Sequence, residues 1–264
     1  MRVAIYQMDI IPGNPKANQQ KVRDWIQVVM EGDGADVLVL PEMWTTAYTL
    51  TDLAQLAEED TKETIELLSH WALMYNVNIV AGSIATKEND NIYNRAFIFN
   101  REGKLVHQYD KMHLVPMLDE HLYLKGGREQ AITFELDGVK MGVIICYDLR
   151  FPELARSLAL EGAQVLFLLA EWPEARKEHW KHLQIARAIE NQMYVVSSNR
   201  VGTYNDVEFC GRSKVITPWG EVIAQGSASE EQTITAELKL EEVTTARKIV
   251  PVFESRVPNL YKRL

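Results

Sequence analysis

The sequence predicts an α/β fold with mixed parallel and antiparallel sheets. Short apolar runs, typical of strands buried on both faces, alternate with segments whose apolar residues recur at helical spacing. This alternation favours an α/β fold. Several strand pairs are separated only by a short turn, which indicates hairpins and therefore antiparallel pairing as well. No linker rich in Pro, Gly or Ser divides the chain, so we expect residues 1–264 to form a single domain.

The first half of the chain contains two predicted helices and five predicted strands. Apolar residues within 22–29 share one helical face. A second helix, within 65–75, has the broad apolar face of a helix packed on a sheet, and Asp60 is predicted to cap its N-terminus. The strands are predicted at 3–8, 37–40, 77–83, 92–99 and 104–109.

The second half repeats this alternation. Pro152 lies in the first turn of a predicted helix, where its missing N–H costs nothing, and a second helix is predicted at 176–191. The tail from Phe209 onward is predicted to be β-rich and then irregular. Residues 34–40 resemble residues 162–168, which hints at two related halves. Further strands are predicted at 139–146, 164–170 and 193–198.

The composition limits the class of protein. Hydrophobic residues make up 47% and charged residues 25%, which excludes disordered, fibrous and membrane classes. The net charge is −9 and Lys and Arg form no block, so we expect neither nucleic acid nor an anionic membrane as a partner. No apolar run approaches the roughly 18 residues that span a bilayer, and the N-terminus lacks the apolar stretch of a signal peptide. We therefore expect a cytoplasmic protein.

The cysteines and histidines bear on redox chemistry and metals. Cys146 and Cys210 are too few for a disulfide framework and fit a reducing compartment, where a cysteine can act as a nucleophile. His179 and His182 lie three residues apart on a predicted helix beside Glu178, a spacing that metal pairs also show. No third ligand follows at metal spacing, so we expect neither a metal nor a cofactor.

Three reactive side chains follow three of the predicted strands. Glu42 comes after the second strand, Lys111 after the fifth, and Cys146 ends the sixth. Ligands of α/β proteins bind outside the carboxyl ends of strands, so these side chains can converge on one pocket. Each also has an ordinary explanation, because charged residues often follow strands and a cysteine ending an apolar strand is more often a small buried hydrophobe.

The three residues lie in segments that resemble the signature segments of the nitrilase superfamily, in the same order and at suitable spacing. The resemblance extends from the first strand to about residue 220. It implies a four-layer α-β-β-α sandwich and a homodimer or higher oligomer that commonly extends the sandwich across the interface. The segments are 38–42 (Leu-Val-Leu-Pro-Glu), 109–114 (Tyr-Asp-Lys-Met-His-Leu) and 142–153 (Gly-Val-Ile-Ile-Cys-Tyr-Asp-Leu-Arg-Phe-Pro-Glu).

The resemblance implies a catalytic triad of Glu42, Lys111 and Cys146, with Glu120 as a second active-site glutamate. These residue types suit the cleavage of an amide C–N bond. Glu42 can take the thiol proton and pass it to the leaving nitrogen. Lys111 and the backbone N–H of Tyr147 can stabilise the oxyanion of the tetrahedral intermediate. The products of this step are ammonia and a thioester, which water then hydrolyses.

Further segments resemble the ω-amidase branch of the superfamily, and most of all its bacterial members associated with methionine salvage. The resemblance implies a small-molecule amide substrate, 2-oxoglutaramate, which is hydrolysed to 2-oxoglutarate and ammonia. Two alternatives stay open. One is a hydrolase of the same superfamily acting on a nitrile, an N-carbamoyl amine or an aliphatic amide, and the other is a non-catalytic scaffold. The segments are 118–124, 170–173, 179–180 and 186–192.

An anionic substrate requires a cation for its remote carboxylate, and arginine suits this best because its planar guanidinium pairs with a carboxylate. Arg176 is the candidate, against the alternative of a solvated residue that opens a helix. Trp172 is a candidate wall of the pocket and His113 a candidate neighbour, against the alternatives of a core aromatic and a structural hydrogen bond. Asp148 and Arg150 are interpreted as a structural clamp on the turn that follows Cys146, which we call the nucleophile turn.

Overall fold

Two β-sheets stacked face to face form the centre of the molecule, and helices cover their outer faces. The structure is a computed structural model that describes residues 1–59 and 61–261. The strands are β1 Arg2–Gln7, β2 Val37–Val39, β3 Glu58–Glu59, β4 Asn78–Glu88, β5 Asn91–Phe99, β6 Leu105–Asp110, β7 Phe134–Leu136, β8 Val139–Ile145, β9 Val165–Ala170, β10 Tyr194–Asn199, β11 Thr203–Tyr204, β12 Val207–Glu208, β13 Lys214–Ile216, β14 Val222–Gln225 and β15 Gln232–Glu237.

The helices occur between the strands, as the alternating pattern predicts. None of those in the described residues is long and apolar enough to cross a bilayer. Asp60, the predicted cap of the second long helix, lies outside the described residues. The helices are α1 Pro15–Glu31, α2 Leu53–Leu56, α3 Lys62–Tyr75, α4 Pro152–Leu160, α5 Lys177–Asn191 and α6 Glu241–Ile249.

Both sheets mix parallel and antiparallel pairs. The first has the order β15-β1-β2-β4-β5-β6, with β3 paired to β4, and the second has the order β14-β13-β10-β9-β8-β7. β2 runs parallel to β1 and β4, and β9 runs parallel to β8 and β10. The other strands pair antiparallel, except the two-residue β3, which runs parallel to β4. The two similar sequence segments therefore contain the central parallel strands of the two sheets, which agrees with two related halves.

Alternating side chains divide the core into layers. Val3 and Ile5 of β1 pack with the second sheet, whereas Ala4 and Tyr6 pack under α1 and α3. Because successive side chains of a strand point to opposite faces, a strand covered on both sides is apolar throughout, as β2 is. Each large apolar side chain buried in this way contributes about 1.5–3 kcal/mol. The result is the four-layer α-β-β-α sandwich with mixed sheets, and this prediction is confirmed.

The C-terminal tail differs from its prediction. The β-rich part is present as β13 to β15, but the expected irregular segment contains α6. This helix is only nine residues long and buries only Val243 and Ala246, so its apolar pattern is too short to stand out. Acidic residues lie in its first turn and basic residues in its last, an arrangement that the helix dipole stabilises.

A glycine in β4 allows the loop that carries Glu42 to pack closely against this strand. Gly82 has φ +63°, and a Cβ atom there would lie 2.1 Å from the carbonyl oxygen of Pro41 and 2.7 Å from the ring of Trp44. The neighbouring Ser83 donates its N–H to that Pro41 oxygen at 3.2 Å and accepts the N–H of Trp44 at 3.2 Å. The loop can approach β4 this closely only where no side chain intervenes.

Replacing Gly82 by alanine should therefore destabilise the protein and displace Glu42. We expect the free energy of unfolding to fall by roughly 2–5 kcal/mol, because the left-handed backbone cost adds to steric overlap. Gly138→Ala is the matched control, since Gly138 has φ +77° but open space around it, and only about 1 kcal/mol should be lost there. Urea denaturation measures both losses, and equal losses would contradict this account.

Candidate active site

Loops at the carboxyl ends of three strands bring the predicted triad together. Glu42 follows β2, Lys111 follows β6 and Cys146 follows β8. Glu120 begins a short 3-10 helix after Asp119, whose φ is +49°. The side chains of Glu42, Lys111 and Glu120 are fully buried and Cys146 is 7% exposed. Strand ends thus place these residues in one enclosed site, as the strand pattern predicts.

Lys111 lies between two carboxylates in the interior. Its Nζ is 3.1 Å from Oε1 of Glu42 and 2.9 Å from Oε1 of Glu120. The other oxygen of Glu120 accepts the backbone N–H of Val115 at 2.6 Å. Burial alone would lower the pKa of the Lys111 ammonium, but the two carboxylates outweigh burial and hold the pKa above its ordinary value. The ammonium is therefore charged throughout the physiological range.

Two side chains that were not predicted complete this cluster. Tyr48 donates its hydroxyl to Oε1 of Glu42 at 2.7 Å and accepts from Nζ of Lys111 at 2.6 Å. Asn94 donates its amide to the same Glu42 oxygen at 2.8 Å. Burial, followed by the charges of Glu120 and Glu42, raises the pKa of Tyr48 well above its usual value, so the hydroxyl keeps its proton.

The two missed residues differ in the signal they left in the sequence. Asn94 is a buried amide within β5, and a polar residue at a core position of a strand indicates a specific partner. Tyr48 lies in an irregular loop, where no periodicity fixes the direction of its side chain.

The two oxygens of Glu42 have different surroundings. Oε1 accepts the three bonds just described, whereas Oε2 accepts the backbone N–H of Glu171 at 2.8 Å. Each of these partners donates, so Glu42 acts as an acceptor only, as an ionised carboxylate does. Glu171 follows β9, and its own carboxyl group pairs with the fully buried guanidinium of Arg200.

The nucleophile turn is strained and tightly held. Cys146 has φ +46°, a left-handed conformation that costs energy in any residue with a Cβ atom. Oδ2 of Asp148 accepts the N–H of Ile145 at 3.1 Å and the hydroxyl of Tyr109 at 2.7 Å, and Oδ1 accepts the N–H of His113 at 3.0 Å. These bonds confirm Asp148 as a clamp on the turn.

The thiol of Cys146 is held in its neutral form. Burial raises its pKa well above the ordinary value and the carboxylate of Glu42 raises it further, while Lys111 opposes both effects. Because a thiolate attacks far better than a thiol, a base has to remove the proton as the sulfur reacts. Glu42 is charged, buried and close enough to influence the thiol, so it can serve as that base.

The residues predicted to bind substrate occupy two environments. Trp172 is buried, packs on Trp180 with ring centroids 5.4 Å apart, and donates its indole N–H to the backbone oxygen of Arg176 at 2.9 Å. The Arg176 side chain is exposed, and its guanidinium donates to the carbonyl of Ala175 at 3.0 Å. Arg176 thus opens α5 at the surface, outside the buried cluster.

His113 and Arg150 flank the nucleophile turn on different sides. His113 places Nδ1 2.8 Å from Oδ1 of Asp148 and stacks on Phe151 at 3.5 Å. The Arg150 guanidinium lies over the rings of Trp172 and Tyr147, 4.8 Å and 5.5 Å from their centroids, and its Nη1 lies 3.1 Å from Nδ1 of His179. Its Nε is buried and has no hydrogen-bond partner among the described residues. Asp148 therefore holds the turn through hydrogen bonds, and Arg150 contacts it through the ring of Tyr147.

This arrangement provides the groups that acyl transfer requires. A buried thiol lies beside a carboxylate that can take its proton, and a fixed positive charge lies beside that carboxylate. Tyr147 is the second residue of a 3-10 helix, so its backbone N–H has no acceptor in a preceding turn and can bind an oxyanion.

Comparisons with known proteins agree with the fold and with the predicted family. The profile of the family described as carbon-nitrogen hydrolase matches residues 2–248, and the chain belongs to this family. It is 46% identical to the 2-oxoglutaramate amidase of Bacillus subtilis over 98% of both chains, and 39% identical to an omega-amidase of Escherichia coli over 84% of both. A crystal structure of a branch 10 member of the nitrilase superfamily from Saccharomyces cerevisiae matches with TM-score 0.90 and 30% identity, covering 97% of this chain and 96% of that one.

Removing the Tyr48 hydroxyl should impair turnover more than folding. In Tyr48→Phe, Lys111 and Glu42 each lose one buried hydrogen-bond partner. This loss destabilises the arrangement of the charged cluster by about 1–3 kcal/mol. We expect kcat for amide hydrolysis to fall roughly tenfold to a hundredfold, since each 1.4 kcal/mol corresponds to a factor of ten. Steady-state kinetics measure this loss.

Tyr194→Phe provides the matched control. The Tyr194 hydroxyl also donates to a carboxylate, Oε2 of Glu242 at 2.6 Å, but that contact is with α6 and away from the site. The control should lower the thermal midpoint and leave kcat within about twofold of the wild type. A similar loss of kcat in both variants would show that Tyr48 acts only through stability.

Proposed function

We propose that this carbon–nitrogen hydrolase is an ω-amidase that cleaves the terminal amide of 2-oxoglutaramate, releasing 2-oxoglutarate and ammonia. The observation that carries the reaction class is the buried contact between Glu42 and Lys111 beside the thiol of Cys146. Likeness to the Bacillus subtilis amidase along nearly the whole chain supports the substrate. The reaction uses only side chains, one backbone N–H and water, so the proposal includes neither a metal nor another cofactor.

The first half of the reaction forms a thioester. Glu42 takes the proton of Cys146 while the sulfur attacks the amide carbon, so the S–H bond breaks as the C–S bond forms. Charge then develops on the amide oxygen. The N–H of Tyr147 binds this oxyanion directly, whereas Lys111 contributes a fixed positive charge, because all three of its protons already have acceptors. Glu42 then protonates the nitrogen, the C–N bond breaks and ammonia leaves.

The second half releases the acid. Glu42, again ionised, takes a proton from water as its oxygen attacks the thioester carbon. The same two groups stabilise the second oxyanion. The C–S bond then breaks and the thiol of Cys146 recovers its proton from Glu42. We propose that Glu120 keeps Lys111 in place throughout, because it holds the ammonium at 2.9 Å and is itself bound to the backbone of Val115.

A substrate panel tests this function. Wild type and Cys146→Ala are assayed for ammonia release from 2-oxoglutaramate, glutamine, a simple nitrile and an N-carbamoyl amino acid. We expect fast release from 2-oxoglutaramate alone and complete loss of that activity in the variant, because no other group in the site can form the thioester.

Other outcomes of the panel identify the alternatives. Cys146-dependent activity on a nitrile or a carbamoyl compound would keep the triad and reject the ω-amidase assignment. No ammonia release from any compound, together with a Cys146 that iodoacetamide does not label, would favour the hypothesis of a non-catalytic scaffold.

The remote carboxylate of the substrate requires a cation near the pocket. Arg176 is the candidate from the sequence, but its side chain is exposed and lies against its own loop. Arg150 ends the turn that Cys146 begins, lies over Trp172, and retains a buried Nε without a partner among the described residues. We propose these two arginines as alternative carboxylate ligands and Trp172 as a wall of the pocket, and the contact of Arg150 with Trp172 favours Arg150.

Parallel substitutions distinguish the two arginines. Arg150→Gln should raise KM for 2-oxoglutaramate roughly tenfold to a hundredfold, because a charge-assisted hydrogen bond contributes about 1.5–3 kcal/mol. KM for a neutral aliphatic amide should change by less than about twofold, since that substrate has no carboxylate to lose. If Arg176→Gln shows this selective effect and Arg150→Gln does not, the sequence-based candidate is correct. If a variant changes KM for both substrates equally, the substituted arginine does not bind the carboxylate.

We also propose a homodimer or higher oligomer, a single domain and a location in the cytoplasm. The outer surface of α4, α5 and the β13–β14 turn supports association, because it exposes large apolar side chains, among them Leu160, Ile189 and Trp219. Free Cys146 and Cys210 fit a reducing compartment.

A further inference from the structure

Glu171 and Arg200 form a buried pair that the chemistry described so far does not use. Oε2 of Glu171 lies 2.9 Å from Nη1 of Arg200, and both side chains are fully buried. Moving such groups out of water is costly, and here Arg200 is fully hydrogen-bonded whereas Oε1 of Glu171 has no partner among the described residues. The contacts of the pair therefore indicate what it holds in place.

Arg200 is fixed on every side. Its Nε donates to the carbonyl of Val201 at 3.0 Å, and its Nη2 donates to the carbonyl of Ile10 at 2.9 Å. The guanidinium lies 4.4 Å from the ring centroid of Phe209. Because Ile10 follows β1 and Arg200 follows β10, the guanidinium links the carboxyl ends of the two sheets. The carboxyl group of Glu171 is thus attached to an immobile cation.

The main chain around Glu171 is fixed by the same segment. The N–H of Arg200 donates to the carbonyl of Ala170 at 3.2 Å, and the side chain of Asn199 accepts the N–H of Trp172 at 2.7 Å. The residues before and after Glu171 are therefore anchored, and so is its side chain. This leaves little freedom in the direction of the Glu171 N–H, which donates to Oε2 of Glu42 at 2.8 Å.

The two oxygens of Glu42 differ in their capacity for a proton. Oε1 accepts from Tyr48, Asn94 and Lys111, and these three donors exceed the roughly two lone-pair sites of a carboxylate oxygen. Oε2 has one donor among the described residues, the N–H of Glu171. A lone pair for the thiol proton therefore remains on Oε2.

We propose that Glu171, held by Arg200, is a positioning residue that makes Oε2 of Glu42 the oxygen that receives the proton of Cys146. The S–H bond breaks and an O–H bond forms on Oε2, and the same proton later passes to the leaving nitrogen. The second transfer rests on the proposed amidase function. The first can be followed by alkylation of Cys146, which involves no amide hydrolysis.

Glu171 also adds a titration to the site. Burial raises its pKa to about 8, the charge of Arg200 opposes this, and Glu42 raises it further, while Lys111 acts in the opposite direction. Asp9, 3.6 Å from Arg200, is the other charged group in contact with the pair. Above that pH a negative charge appears on the residue whose N–H binds Glu42. The reactivity of Cys146 should therefore change near pH 8.

The experiment compares Glu171→Gln and Glu171→Ala with the wild type. Iodoacetamide labelling of Cys146 is measured on both sides of pH 8, together with kcat and KM for 2-oxoglutaramate. The glutamine side chain retains an oxygen for Arg200 but cannot ionise. The labelling rate of Cys146 in Glu171→Gln should therefore stay near that of the wild type, without the inflection near pH 8. Alanine removes the contact with Arg200, so the N–H of residue 171 is less well fixed. The labelling rate of Cys146 and kcat should then fall about tenfold or more, with KM nearly unchanged.

Asp137→Asn is the matched control for loss of a carboxylate. Asp137 pairs with Nε of Arg101 at 2.8 Å, away from the site, so this variant should keep the wild-type inflection. Wild-type labelling in Glu171→Ala, with an unchanged pH profile, would overturn the proposal. If the alanine variant does not fold, an inflection retained in Glu171→Gln overturns it. If labelling follows the expectation but 2-oxoglutaramate is not hydrolysed, the proposed substrate fails and the positioning role stands.

Discussion

The buried contact between Glu42 and Lys111 sets the conditions that the rest of the site meets. Removing charged groups from water costs several kcal/mol per ion, and this cost is offset only where every polar atom finds a partner. Here the compensation comes from a second carboxylate, a tyrosine hydroxyl, an amide side chain and two backbone N–H groups. These partners come from four separate segments of both sheets, so the charged cluster can form only when both sheets are assembled.

Several residues near the site adopt a left-handed backbone conformation. Met43, Ala47, Asp119 and Cys146 all have positive φ angles, between 46° and 55°. Each such residue costs on the order of 1–3 kcal/mol. β2, which precedes Met43, and the second half of β8, which precedes Cys146, are fully buried. The regular core therefore stabilises loops that would not adopt these conformations alone. Rigid loops in turn fix the reacting atoms without a large entropy loss at the moment of reaction.

The sequence predicts the parts of this molecule that depend on periodicity and on local motifs. The central strands, the long helices and the convergence of Glu42, Lys111 and Cys146 follow from apolar patterns and from strand ends. The partners that orient these residues do not, because Tyr48 and the N–H of Glu171 reach Glu42 from distant segments with no sequence spacing in common. The contact between Arg150 and Trp172 is hidden in the sequence for the same reason, since it depends on how β9 lies beside the nucleophile turn.

Burial and the charge balance of the cluster together explain why the thiol is neutral at rest. Two carboxylates and one ammonium give the buried group a net charge of −1, counted over Glu42, Glu120 and Lys111. A free thiolate would add a second negative charge in the same enclosed space, and this is why Glu42 raises the pKa of Cys146. If the proton moves to Glu42 as the sulfur attacks, the charge on the carboxylate is exchanged for charge on the oxyanion, and the total does not change. The site thus favours concerted transfer over a preformed thiolate, because charge that moves within a buried cluster costs less than charge that accumulates there.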